Sequence, residues 1–197
     1  MSAAPPKVDI LERMVRAVEK VRDRLRRAAK ALDDAGVRYA VIGGNAVAAW
    51  VATVNEAAVR NTRDVEILLD PDDFALAREA MEAHGFIYRH VAGGALFLDG
   101  PGARAEDAVH IVFARRKVRP TSVEPAPDVR DTVWLGEGLR VLPLEALVRM
   151  KLTSFRDKDR THLRDLISVG LVTERDLANL PDLLAARLRE LLENPEG

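Results

Sequence analysis

Apolar residues near the start of the chain return at alternating spacings of four and three: Met14, Val18, Val21, Leu25, Ala28 and Leu32. That recurrence is a narrow apolar stripe on one helical face. Asp9, behind Pro5 and Pro6, supplies an N-cap, and Gly36 supplies a left-handed stop, so the pattern predicts one long helix from about Asp9 to Gly36. Its other faces are basic, with Arg13, Arg16, Lys20, Arg22, Arg24, Arg26, Arg27 and Lys30 opposed only by Glu12, Glu19 and Asp23. Such a helix either packs its stripe on a globular core or pairs with a second copy, and the heptads are too few to require a coiled coil.

From Arg38 the period changes. Tyr39, Val41 and Ile42 form a short apolar run that ends at Gly43 and Gly44, and Asn45 to Val54 is rich in Ala and Val: strand, tight glycine turn, helix. Asp64 to Asp70 reads as a strand, and Pro71, Asp72 and Asp73 open a helix from Phe74 to His84 that stops at Gly85. Phe86 to Val91 and Ala95 to Leu98 read as a hairpin around Gly93 and Gly94, Val109 to Ala114 as a further strand, and Pro120 to Pro127 as a loop. Pro143 begins a helix carrying Leu144, Leu147, Val148, Lys151 and Leu152. A second helix spans about Arg160 to Val169 before Gly170, and a polar helical tail follows from Thr173. Strands first and helices last predict a small α/β (α+β) core with a C-terminal helical subdomain. The expected division is an amphipathic helix over 1–36, the core over 37–142 and the helical subdomain over 143–197, without internal repeats.

Composition acts mainly by exclusion. The 197 residues include no Cys, which removes a disulfide scaffold, a zinc ribbon and a cysteine nucleophile. Thirty Lys and Arg stand against 31 Asp and Glu, so the net charge of -1 argues against wholesale coating of nucleic acid while leaving room for a local basic face. No stretch approaches the roughly 18 apolar residues of a membrane span, and Met1 to Lys7 lacks the apolar core of a signal peptide. A soluble, cytoplasmic protein with no membrane role is the expectation.

Two features carry candidate chemistry. Gly43 and Gly44 either allow only a tight turn or expose backbone N–H groups at a helix N-terminus, where a triphosphate approaches without obstruction and Asn45 adds an amide donor. Asp64 and Glu66 are two apart on a strand and therefore share a face. Side by side they are costly to bury without a neutralising partner, which suits a hard divalent cation such as Mg2+ or Mn2+. The plainer reading leaves both acids in water at a strand end, paired to Arg60 or Arg63. Among the other residues, Trp50 and Trp134 read as core, His84 as a helix-end cation, His90 as a hairpin residue and His162 as a solvated residue among the charges of the last helices.

The order and spacing of these elements, Gly43-Gly44-Asn45-Ala46 closing one strand and Thr62-Arg63-Asp64-Val65-Glu66 on the next, resembles the nucleotidyltransferase superfamily, specifically small bacterial proteins related to AbiEii-type toxins. The helical region from Lys151 through Arg156, Lys158 and Asp159 to Asp165 has a counterpart there too, so the likeness covers roughly Val37 to Gly170. It implies a nucleotidyltransferase-like mixed sheet flanked by helices. It further implies transfer of a nucleoside monophosphate from an NTP to an RNA end, such as that of a tRNA, or to a protein hydroxyl. Asp64 and Glu66 would hold the metal, with nucleotide contacts at Gly43, Gly44, Asn45, Arg63, Lys151, Arg156 and Lys158.

One position departs from the family. Active members place a third carboxylate on a later strand, and the matching residue here is His110, while Asp107 is three residues away and would face the other side of an extended strand. Imidazole is a poor Mg2+ ligand, acceptable for Mn2+, and able to act as a general base. His110 is thus a structural histidine, a ligand or base, or the lining of a pocket that binds nucleotide without turnover. Three readings follow: a metal-dependent transferase; a weakened nucleotide sensor or half of a toxin–antitoxin pair; and an interaction module that dimerises through the N-terminal stripe. The basic residues of 149–164, of 115–119 and of the first helix form either an RNA-facing surface or ordinary solvated faces.

Overall fold

The computed structural model describes residues 9–91, 94–136 and 138–195. Helix α1 spans Ile10–Asp34, with the Asp9 carboxylate accepting from the Leu11 N–H at 3.4 Å, and the chain turns away at Gly36, whose φ is +67°. Its apolar stripe divides. Leu25, Ala28, Ala29, Ala31 and Leu32 are buried in the core, whereas Ile10, Leu11, Met14 and Val15 are between 57% and 65% exposed, because the helix outruns the body it packs on.

The elements that follow are β1 (Tyr39–Ile42), α2 (Gly43–Ala52), β2 (Val65–Leu69), α3 (Phe74–Ala83), β3 (Ile87–Val91), β4 (Gly94–Leu98) and β5 (Ala108–Phe113). Then come β6 (Val133–Leu135), β7 (Leu139–Val141), α4 (Leu144–Ser154), α5 (Asp157–Ser168) and α6 (Asp182–Glu193). The seven strands form one mixed sheet in the order β3-β4-β5-β2-β1-β7-β6, parallel at β2–β5 and β1–β7 and antiparallel elsewhere. All of β1 and the Ile67, Leu68 and Leu69 positions of β2 are buried, the continuous apolar signature of strands covered on both faces. Helices α1 and α3 pack side by side, and α2, α4, α5 and α6 pack as a second group. Leu147, Leu152, Leu163, Leu184 and Leu188 are fully buried in the same hydrophobic core as the sheet. This is the expected mixed sheet flanked by helices.

Several expectations change. The short strands β6 and β7 were not anticipated, and β7 joins the sheet through the parallel pairing of Val141 with Val41. Trp134, expected in the core, is 53% exposed on β6, with the Arg140 guanidinium stacked 4.7 Å from its ring. Trp50 is half-buried and donates its indole N–H to the Leu142 carbonyl at 3.0 Å. Helix α5 starts at Asp157 rather than Arg160, because the Asp159 carboxylate accepts from the Arg156 N–H and fixes an earlier first turn. Gly93 of the expected hairpin lies outside the described residues. Among those described, no helix is long and apolar enough to cross a membrane.

One buried cation fixes α1 to the site end of the sheet. Arg24, 3% exposed, donates to Asp99 at 3.1 Å, lies 3.7 Å from Asp107 and reaches the Arg63 carbonyl at 3.4 Å. Asp107, the acid nearest the departed family position, is thereby committed to α1. Replacing Arg24 by Met removes the cation beside Asp107 and leaves Asp99 with Arg27 alone, and since both acids remain partly hydrated the expected loss is about 2 kcal/mol of unfolding free energy, read from urea titration.

Candidate functional site

The site forms where β1 ends and β2 begins. Their antiparallel register sets Ile42 against Glu66, so the residue after Ile42 must turn directly over a carboxylate. Gly43 does this at φ +70°, and a Cβ there would lie 1.9 Å from Glu66 Oε2. A Cβ on Gly44 would lie 2.9 Å from the Thr62 side chain. Gly43 is thus required by its left-handed φ, and Gly44 by its close approach to Thr62. They also open α2, whose N-terminus has no side-chain cap, leaving the first-turn N–H groups available to an anion. Asn45 was expected to add a donor for phosphate. Its amide instead donates to the Asp64 carbonyl at 2.7 Å and ties α2 to the start of β2.

Asp64 is half-buried immediately before β2, and Glu66 stands two residues on. The parallel pairing of β2 with β5 places His110 in register with Glu66 and on the same face. Its Nε2 is 3.2 Å from the Ala105 carbonyl, which assigns the proton to Nε2 and leaves Nδ1 as an acceptor. Among the described residues, no three His, Asp or Glu side chains gather into a group able to hold a metal ion. Two carboxylates are nonetheless the usual protein share of a Mg2+ site completed by phosphate oxygens and water, so Asp64 and Glu66 fit a cation that arrives with a triphosphate rather than a preformed cage.

Across a narrow cleft of about 80 Å3, Gly43 and Glu66 face Lys151, Arg156 and Asp159 of the C-terminal helices. Lys151, expected as a free cation for phosphate, is buried and donates to Asp159 Oδ1 at 3.1 Å. Arg156 donates to Asp159 Oδ2 at 2.8 Å and remains partly exposed. Burial alone would raise the Asp159 carboxyl, but the Arg156 hydrogen bond and the charges of Lys151 and Arg156 outweigh it and hold the carboxyl below its ordinary value. Lys158 reaches the opposite wall, its ammonium 3.8 Å from Glu66 Oε1. Arg63 is not brought into the cleft; it is exposed and faces Glu106 at 3.5 Å.

His162, expected in solvent, belongs to this region. Its Nδ1 is buried with no hydrogen-bond partner. Burial, helped by the charge of Lys151, pushes its pKa down to about 4 against the pull of Asp159, Asp165 and Glu66. Spacing held the clue, since His162 is three residues from both Asp159 and Asp165 on one helix. Asp165 in turn accepts two bonds from Arg60, at 2.9 and 3.0 Å, fastening the segment before Thr62 to α5.

The mixed sheet flanked by helices is a nucleotidyltransferase-like fold. No protein-family model matches the chain, and no curated protein matches it by sequence. Among solved structures, it is similar to the antibiotic-resistance factor ANT(2'')-Ia, with a TM-score of 0.54 and 16% identity over 85% of this chain and 90% of that one. A second structure of that factor, in complex with adenylyl-2''-tobramycin, gives 0.52 and 16% over 84% and 94%. JHP933 from Helicobacter pylori gives 0.50 and 16% over 91% and 75%. At such identities the likeness is one of fold.

The His162 geometry sets a pH dependence. The folded imidazole takes its proton near pH 4 and an ordinary one near 6.5, so the unfolded chain binds more protons in between. Stability present above pH 6.5 is therefore lost as the pH falls toward 4. His162→Gln is expected to flatten this stretch of the urea midpoint against pH, and an unchanged slope would mean that the imidazole titrates normally.

Proposed function

We propose that this protein transfers a nucleoside monophosphate from an NTP to a hydroxyl of an RNA or protein acceptor, with Mg2+ or Mn2+ held by Asp64 and Glu66. The observation that carries the reading is the pairing of an uncapped helix N-terminus with the Glu66 carboxylate across a turn that admits no side chain. A triphosphate seated on the N–H groups of Gly43 and Gly44 has its oxygens facing the two acids. A divalent cation bound there supplies neutralisation of the charge on the attacking and leaving oxygens. Asn45 keeps Asp64 in place through its backbone carbonyl, and Lys158 and the exposed part of Arg156 face the phosphates from the other wall. The acceptor hydroxyl attacks the α-phosphorus, its proton passes to Nδ1 of His110, and pyrophosphate leaves.

ANT(2'')-Ia was solved with adenylyl-2''-tobramycin. A product of the same kind, a nucleotide joined to an acceptor oxygen, is what this reading expects. The resemblance to AbiEii-type toxins makes a cytoplasmic role within a toxin–antitoxin pair part of the proposal. A second reading, nucleotide binding with little turnover, is favoured by His110 standing in register with Glu66 where the family has a carboxylate.

Calorimetry with each NTP and Mg2+ or Mn2+ tests the site. Wild type is expected to bind with metal dependence, and Asp64→Ala with Glu66→Ala to weaken binding by about tenfold or more while unfolding normally in urea. Equal binding by both proteins would remove the two carboxylates from the site. A rise in turnover in His110→Asp would favour the second reading.

A further inference from the structure

We propose that the groove beside the N-terminal half of α1 is a track for the phosphate backbone of an RNA acceptor, one that ends at Arg63, the residue before Asp64; the assignment names the acceptor class of the site and rests on the nucleotidyl-transfer reading. The groove has a volume of about 820 Å3, with Arg13, Arg16, Lys20 and Arg63 along it and Asp99 and Asp107 at its inner wall. Its charge is one-sided in effect. Asp99 is bound by Arg24 and Arg27, and Asp107 lies beside Arg24, so both acids are already compensated. Arg13, Arg16 and Lys20 are exposed and, among the described residues, pair with no carboxylate. Arg63 meets only the equally exposed Glu106.

Spacing matches the occupant. Arg13, Arg16 and Lys20 succeed one another at three and four residues, about 5 Å along the helix per step, close to the separation of successive phosphates on a nucleic-acid strand. The track also has a destination. Arg63 immediately precedes Asp64, and its carbonyl is held by Arg24, so the end of the groove is fixed to the first candidate metal ligand. A polycationic acceptor such as an aminoglycoside would need free carboxylates here, and the groove offers none.

Most of the other basic residues are already engaged, and the exposed Lys117 and Arg119 lie outside the groove lining. Arg115 is bonded twice to Asp70, Arg116 stacks on Phe113, Arg149 is bonded to Glu124 and Arg160 to Glu190. Along α1, Arg13, Arg16 and Lys20 form a row of exposed cations that line one groove. A backbone track of this kind adds affinity that falls with salt and carries little sequence preference.

The test is fluorescence anisotropy with a labelled tRNA transcript over a salt series, alongside calorimetry with NTP. Wild type is expected to bind, Arg13→Glu with Lys20→Glu to bind about tenfold or more weakly with a salt slope reduced by about 2, and NTP affinity to stay unchanged. The control, Arg22→Glu with Arg26→Glu, makes the same charge change on another face of α1, beside Leu25 and Ala29, and is expected to bind as wild type. Equal weakening by both pairs, or no RNA binding by wild type, would overturn the track. RNA binding that depends on Arg13 and Lys20 in a protein that binds no NTP would keep the groove and sink the transferase reading. NTP binding without RNA binding would do the reverse.

Discussion

The register that sets Ile42 against Glu66 is the constraint on which the rest of the site depends. It brings a carboxylate close beneath the end of β1, and the residue that follows takes a positive φ that favours glycine and turns the chain straight into a helix. The same contact therefore produces three things at once: a required Gly43, an open helix N-terminus and an acid facing it. Asn45 and Arg24 then hold the Arg63–Asp64 segment from two sides, through the carbonyls of Asp64 and Arg63. Backbone geometry alone brings the glycine turn, the helix N-terminus and the acid together.

Electrostatics divides the opposite wall into a fixed part and an adjustable one. Asp159 is almost fully buried and satisfied by Lys151 and Arg156, so this cluster anchors α4 to α5 while its cations outnumber its acid. A buried acid bound in this way costs more to disrupt than it adds by forming. Lys158, by contrast, is partly exposed and meets Glu66 at only 3.8 Å, a weak contact that a triphosphate with its cation can replace.

Much of the frame was legible in the sequence because periodicity is a direct imprint of burial. The long helix, the strand–glycine–helix turn, the Asp64–Asp70 strand and the strand that carries His110 follow from spacing alone, and the interest of His110 comes from the resemblance. Strands of three residues leave no such imprint, so β6 and β7 were invisible, and Trp134 looked like core because its exposure depends on stacking with Arg140. The partners of charged side chains were the larger loss. Asn45 bonds nineteen residues away and Lys151 is neutralised from the next helix, facts that no local pattern encodes. His162 was missed for the same reason, since its burial is a property of how α5 packs.

The central claim is that a nucleotide, and not a phosphate, is moved at this site. The most direct measurement incubates the protein with RNA and Mg2+ or Mn2+ and compares NTP labelled at the α-phosphorus with NTP labelled at the γ-phosphorus. The account predicts label on the acceptor from the α position only, lost in Asp64→Ala. Label from the γ position, or α-label transfer that persists in Asp64→Ala, would contradict it.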